Sequence, residues 1–248
     1  MLARVIRTTH LGLPSPQAVR TGQTGTIPEI SGDETLPGAP TFWRIDAERE
    51  APSAHVLAPT VLSKAERERA DAFHRQRDRD TYVVCHVLLR LVLARKLDVK
   101  PEDVEFVRET CPTCGGPHGR PALVQGKPHF SLSHSGMVGL IGVADNVIGV
   151  DVERTPKPEV ATQTGHMLHP EEAAELAALS DEERPVGFGR IWTRKEAYLK
   201  ALGTGLSRGL SRDYMGAGPV PAQRQPGWTL VDLTLFEGYF AAAAIANA

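Results

Sequence analysis

Cysteine is scarce, with three in 248 residues. An odd, small number excludes a disulfide-stapled scaffold and sets the expectation of a reducing cytoplasm. Long apolar runs are missing too. The longest, Met137–Ala144 and Phe240–Ala246, fall far short of the ~18 residues of a membrane span, so no membrane partner is expected. The opening MLARVIRTTH carries charge and lacks the apolar stretch of a secretory signal. No excess of one charge is present either. Lys and Arg number 28 against 30 Asp and Glu, a net charge of −2, which argues against a chain built to bind nucleic-acid backbone. A G-x-x-x-x-G-K-[ST] loop is absent, which removes one class of ATP-binding phosphotransferase. Residues 1–40 have no aromatic and hold ten Gly or Pro, with no periodic apolar pattern, so they read as a disordered or loosely attached extension.

What remains is ordinary globular material, 41% hydrophobic and 23% charged, long enough for one large domain or two small ones. The folded part is expected to begin at the strand signal Thr41–Ile45. Ser63 followed by Glu66 is a capping box for a helix through about Phe73. Val83, Val84, Val87, Leu88, Leu91 and Val92 recur at helical spacing and predict a second helix over Asp78–Lys96. Strands are expected at Glu105–Arg108, His129–His134, Met137–Ala144 and Val147–Glu153. Helices are expected at Glu171–Leu179 and Pro185–Leu202, the latter closed by Gly203 and Gly205, before a final hairpin of Trp228–Leu235 and Tyr239–Ala246. Each half has helices flanked by strands, which favours an α+β fold over a doubly wound parallel sheet.

Three segments carry chemistry. In Val147–Glu153 the alternation of a strand puts Ile148, Val150 and Val152 on one face and Gly149, Asp151 and Glu153 on the other. Two carboxylates so placed repel unless compensated, and a divalent cation is one compensator; a solvated strand end is the alternative. In the helix Gly189–Lys200, Trp192, Glu196 and Lys200 recur at i, i+4 and i+8 on one face. Such a Glu–Lys pair is either a surface ion pair or a proton acceptor beside a phosphate-steadying cation. In Phe130–Ser135, Ser131, Ser133 and Ser135 share one face and Leu132 and His134 the other. Serine and histidine at a strand end can donate to phosphate oxygens, and no Gly-x-Ser-x-Gly nucleophile elbow is expected in the chain.

Taken in order, these segments resemble the 4′-phosphopantetheinyl transferases of the Sfp type, over roughly Ser63 to Ser207. The resemblance implies an α+β chain of two similar α/β subdomains related by a pseudo-twofold, here 41–145 and 146–248. It implies transfer of the phosphopantetheine arm of coenzyme A to a serine of an acyl or peptidyl carrier protein, with Mg²⁺, in fatty-acid, polyketide or nonribosomal peptide synthesis, by a cytoplasmic monomer. Asp151 and Glu153 match the metal-binding acids of the family's G-x-D-x-E motif. Glu196 matches the acid of W-x-x-K-E-x-x-x-K, a metal ligand and the base for the carrier serine. Lys200, the final lysine, and Lys195, its neighbour in the motif, match positions associated with coenzyme A. Ser133 and His134 match the Ser-His pair that meets coenzyme A phosphate. His118-Gly119-Arg120-Pro121 resembles the clamp beside the adenine, with Gly126-Lys127-Pro128 a competing match. Arg69, Arg75 and Arg79 fall where early basic residues hold the 3′-phosphate. Glu66 departs from the pattern, standing where a lysine is frequent.

Some features stay outside this reading. Cys111 and Cys114 form half of a zinc knuckle; His118 offers a third ligand and no fourth is evident, so free thiols in a turn are expected. Cys85 and His86 read as core, and His166 and His169 as loop residues without a role. Two other functions stand against the transferase. One is a non-catalytic module binding coenzyme A or a carrier protein, disfavoured by the joint presence of Asp151, Glu153, Glu196 and Lys200. The other is a Mg²⁺-dependent phosphotransferase using ATP.

Overall fold

A computed structural model describes residues 6–7, 9–10, 12–13, 15 and 39–247. Two short strands come first, β1 (Ile6–Arg7) and β2 (Thr9–His10). Then follow β3 (Thr41–Asp46), α1 (Ala47–Val61), α2 (Lys64–Asp71), α3 (Gln76–Leu97), β4 (Phe106–Arg108), β5 (Pro121–Leu123), β6 (His129–Ser135) and β7 (Val138–Ala144). The rest of the chain is β8 (Ile148–Arg154), α4 (Pro158–Thr164), α5 (Pro170–Ala178), α6 (Arg184–Leu202), β9 (Trp228–Thr234) and β10 (Tyr239–Ala246). Among the described residues no helix is long and apolar enough to cross a membrane.

The strands form two four-stranded sheets, ordered β2-β3-β7-β6 and β1-β9-β10-β8, plus the small pair β4-β5. Strand, helices, strand, strand occurs twice along the chain, and each time the last strand lies antiparallel between the other two. Within the stretch expected to hang free, β1 and β2 pair in parallel with β9 and β3, and the Leu13 amide donates to Glu50 Oε2 at 2.7 Å. Residues 16–38 of that stretch lie outside the described residues.

Three apolar layers fix these parts. The outer face of the first sheet, with Trp43, Ile45 and Ile141, packs on α3 through Val84, Leu88 and Leu91. Its inner face, with Phe42, Val138 and Leu140, packs on Ile148, Val150, Val152 and Ala243 of the second sheet. The far face of the second sheet, with Leu230, Ala242 and Ala244, packs on α6 through Ala197, Tyr198 and Ala201. Strand β7 is covered on both faces, which explains its unbroken apolar run.

The expected elements recur within about two residues, and besides β1 and β2 two helices and one strand are additional. Helix α1 starts at the Asp46 cap, whose side chain accepts the Arg49 amide, and carries Pro52 and Pro59 inside it. Helix α4 begins at Pro158, and β5 starts at Pro121, the last residue of the loop expected over Cys111–Pro121, and runs to Leu123. Helix α2 opens with the full capping box of Ser63 and Glu66, and α6 closes on Gly203 at φ 73°. His169, expected in a loop, caps α5, with Nδ1 accepting the Glu171 amide. The segment Gly205-Leu206-Ser207-Arg208-Gly209 has the G-x-S-x-G spacing, yet it follows a helix rather than a strand. The Ser207 hydroxyl is spent on Thr204 O at 2.6 Å, so it is no nucleophile elbow.

One glycine controls how near α6 lies to β8. A Cβ at Gly149 would sit 2.1 Å from Ala197 O and 2.4 Å from Ala201 N, both backbone atoms that cannot yield without moving the helix. Gly149→Ala is therefore expected to destabilise the protein by about 1–3 kcal/mol, as overpacking of a dense core does. An unfolding free energy from urea titration unchanged within about 0.5 kcal/mol would show that the approach is not rigid.

Candidate active site

Helix α6 is buried along almost its whole circumference past Gly189. Its half-exposed positions on one stripe are Trp192, Glu196 and Lys200. The close approach at Gly149 lays this stripe beside the Asp151–Glu153 end of β8. Asp151 is 2% exposed, and its Oδ1 accepts from Lys200 Nζ at 2.6 Å and Ser133 Oγ at 2.8 Å. Its Oδ2 is buried without a hydrogen-bond partner. Glu153 Oε2 accepts from Ser135 Oγ at 2.8 Å.

The electrostatics follow from three carboxylates sharing one half-buried place. Burial pushes the Glu153 carboxyl above its ordinary range; the Ser135 hydrogen bond opposes this and the Asp151 charge adds to it. Burial also raises Glu196, reinforced by Asp151 and Glu153 and opposed by Lys200. His134, on the outer face of β6, is pulled down by desolvation and then by the Lys200 charge. In chemistry the donor set suits Mg²⁺, which takes hard oxygen ligands: three carboxylates, one with a buried oxygen that no other described residue satisfies.

A cavity of about 380 Å³ opens beside this cluster. His118, Gly119, Arg120 and Pro121 line one side, His134 and Lys200 another. Most of the residues expected to meet coenzyme A are thus brought together. Arg120 is held by Glu109, with Nε 2.7 Å from its carboxylate, and donates to Ala201 O at 2.9 Å, fastening the clamp to the end of α6. Gly126-Lys127-Pro128, the competing match, does not line this cavity. A larger groove of about 750 Å³ shares the walls His86, Arg108, Pro121, Phe130 and Leu132 and runs on toward Ser63.

Several expected residues sit elsewhere. Lys195, expected among the coenzyme A contacts, is turned inward. Its ammonium pairs with the fully buried Glu172 at 2.7 Å and donates to Asp213 O, so it is held in the core and does not reach the cavity. Ser133 does not line this cavity and is 6% exposed. Its hydroxyl donates to Asp151 and accepts from Lys200 and from the Val152 amide, which uses all three of its bonding positions. Arg69, Arg75 and Arg79 stand outside the cavity walls: Arg69 covers the Phe73 ring at 5.6 Å, Arg75 occupies the N-cap position of α3 without a side-chain capping bond, and Arg79 pairs with Asp71 at 2.5 Å. Glu66 closes the capping box and also binds the buried Arg90 through Nε at 2.8 Å, so an acid there has a structural duty.

Sequence reasoning placed His86 in the core, whereas it walls both cavities. Burial lowers its pKa, and its ring stacks on Tyr82 at 3.9 Å. Tyr82 and His86 are half-buried within a stretch of α3 that is otherwise buried from Thr81 to Ala94. An i, i+4 pair of amphipathic rings was the available signal. Cys85 is core as expected. In the turn before the clamp, Cys111, Cys114 and His118 have ligand atoms all within 4.8 Å of one another.

The comparisons agree with this geometry. Residues 147–225 match the family model of the 4′-phosphopantetheinyl transferase superfamily. The chain is 31% identical over 214 residues to the 4′-phosphopantetheinyl transferase HetI of Nostoc sp., spanning 83% of this chain and 87% of that protein. It is 36% identical over 157 residues to a putative 4′-phosphopantetheinyl transferase of Synechocystis sp., 61% of each chain. It is 27% identical over 149 residues to the 4′-phosphopantetheinyl transferase Sfp of Bacillus subtilis, 60% of this chain and 63% of that one. The last two matches span less than two thirds of those relatives. The protein is a transferase by class, and it belongs to the 4′-phosphopantetheinyl transferase superfamily.

Glu153 and Glu196 titrate above the values of the unfolded chain, so the folded state retains protons that the unfolded state has lost. Their contribution therefore weakens stability as pH rises from about 4.5 through the raised folded values. Glu196→Gln removes one buried charge. With a chelator at neutral pH it is expected to raise Tm by about 2–4 °C and flatten its fall between pH 4 and 7. A variant melting below the parent throughout that range would contradict the repulsion.

Proposed function

We propose that this protein transfers the 4′-phosphopantetheine arm of coenzyme A to a serine of an acyl or peptidyl carrier protein, releasing adenosine 3′,5′-bisphosphate. The observation that carries the reading is the Trp192–Glu196–Lys200 stripe set against Asp151 and Glu153, with Lys200 also lining the clamp cavity. The repeated strand order supports two subdomains, 41–145 and 146–248, related by a pseudo-twofold, with the cavity between them.

In the reaction the carrier hydroxyl attacks the pantetheine-side phosphorus of the pyrophosphate. A new P–O bond forms, and the bond to the phosphate of the nucleotide breaks. The enzyme needs no nucleophile of its own. Glu196 takes the hydroxyl proton; its raised affinity for protons, caused by burial and by Asp151, suits it to the task. Lys200, on the cavity wall, brings positive charge to the phosphates, and Ser133 keeps Lys200 and Asp151 in register. His134 and Arg120 bring polar side chains to the same cavity. Asp151, Glu153 and Glu196 would hold Mg²⁺, which neutralises pyrophosphate charge when bound. The expected setting is the cytoplasm, with the protein acting as a monomer on carriers of fatty-acid, polyketide or nonribosomal peptide synthesis.

Intact mass of an apo carrier protein incubated with the enzyme, coenzyme A and Mg²⁺ tests this. The expected result is a gain of one phosphopantetheine arm, abolished by a chelator and slowed at least about 10²-fold by Glu196→Gln. Measurable coenzyme A binding with no mass gain on several unrelated carriers would overturn it in favour of a non-catalytic binding module.

A further inference from the structure

The turn between β4 and β5 presents a second set of ligands, chemically unlike the carboxylate cluster. Cys111 Sγ, Cys114 Sγ and a ring nitrogen of His118 lie within 4.8 Å of one another. In a tetrahedral zinc site, bond lengths of about 2.3 Å to sulfur and 2.1 Å to nitrogen put ligand atoms about 3.5–4 Å apart, so the three atoms are close to that arrangement. Cys114 Sγ and His118 Nε2 already approach to 2.9 Å. All three cysteines of the chain are free thiols, so neither sulfur is spent on a disulfide.

The backbone is shaped to bring these atoms together. The Cys111 amide donates to Gly116 O at 2.8 Å, and the Gly115 amide returns to Cys111 O at 2.9 Å. Gly115 sits at φ 72°, in the left-handed region that favours glycine and lets the chain double back after Cys114. A Cβ on Gly116 would lie 2.9 Å from His118 Cδ2, so the ring needs a bare backbone beneath it. The amides of Cys114 and Thr113 point at the Cys111 sulfur. Cys111 is covered, whereas Cys114 and His118 are exposed, which leaves an approach from solvent.

We propose that Cys111, Cys114 and His118 bind a structural Zn²⁺ ion, with solvent as the fourth ligand. Two sulfurs and an imidazole nitrogen are soft donors that select zinc over magnesium, so the site is separate from the carboxylate cluster. Binding releases the two thiol protons and replaces the Cys114–His118 hydrogen bond by two metal bonds. The ion cross-links the tip of the β4–β5 hairpin directly before Gly119 and Arg120. Those residues are already tied to Glu109 and to α6 by the Gly119 amide on Glu109 O at 2.9 Å and by Arg120 on Ala201 O. Zinc would thus stiffen the clamp wall of the cavity from its solvent side. The inference stands on the ligand geometry and does not depend on the reaction.

The test uses the full chain, purified under reducing conditions. Bound metal is measured by mass spectrometry, and the stripped protein is titrated with Co²⁺ alone. The expected result is about one equivalent of zinc, with Co²⁺ giving thiolate charge-transfer bands and the intense visible bands of a tetrahedral site. Cys114→Ala and His118→Ala, both at exposed positions and each checked for native circular dichroism, are expected to weaken metal binding about tenfold or more. Cys85→Ala is expected to keep the full equivalent. Absence of zinc and of thiolate–cobalt bands in the reduced parent protein would overturn the proposal. So would a Cys111–Cys114 disulfide in the freshly isolated chain, or variants that bind as tightly as the parent.

Discussion

Three serine hydroxyls join the two sheets. Strands β6 and β8 are edge strands of different sheets, and an edge leaves amides and carbonyls to be satisfied. Here the side chains of Ser131, Ser133 and Ser135 take the amides of Val150, Val152 and Arg154 at 3.0, 3.4 and 3.2 Å. Ser133 and Ser135 then donate their own protons to Asp151 and Glu153, the side chains lying between those amides. The contact thus does two jobs, closing the β8 edge and aiming its carboxylates. Apolar packing of Phe42 and Leu140 on Val150 and Val152 presses the sheets together, and the hydroxyls set the register.

The register matters because what it assembles is unfavourable. Three carboxylates at one place repel one another, and the buried Asp151 Oδ2 lacks a partner. Lys200 relieves part of this at Asp151, and the small residues Gly149, Ala197 and Ala201 let α6 come near enough for it to do so. On the function proposed above, carboxylate charge that is destabilising in the isolated chain serves a hard cation, which in turn meets the phosphates, so stability would be given up at the site for function. By contrast, Arg90 with Glu66, Arg194 with Asp232, and Lys195 with Glu172 are buried and compensated, and they belong to the frame.

Much of this was legible in the sequence because local periodicity carries it. The alternation in 147–153 separated Val150 and Val152 from Asp151, and the i, i+4, i+8 spacing put Trp192, Glu196 and Lys200 on one stripe. The Ser63 capping box was readable for the same reason. Helix α1 was not, since two prolines blur a pattern that tertiary packing of Ala47, Ala54 and Ala58 sustains. The inward turn of Lys195 was not, because its partner Glu172 lies on another helix and adjacency in a motif says nothing about which way a side chain points. His86 looked like core because its neighbours on α3 are core. The serines were recognised as polar and grouped, yet their partners, the amides of β8, carry no sequence signal at all.

The serine ladder couples the joining of the sheets to the aiming of the acids. A double-mutant cycle of Ser133→Ala and Asp151→Asn, followed by urea unfolding, measures this coupling. A coupling free energy of about 0.5–3 kcal/mol is expected between the two positions, as for residues in one hydrogen-bond network. Additivity within about 0.3 kcal/mol would contradict it, and would mean that Ser133 and Asp151 serve the sheet junction and the site independently.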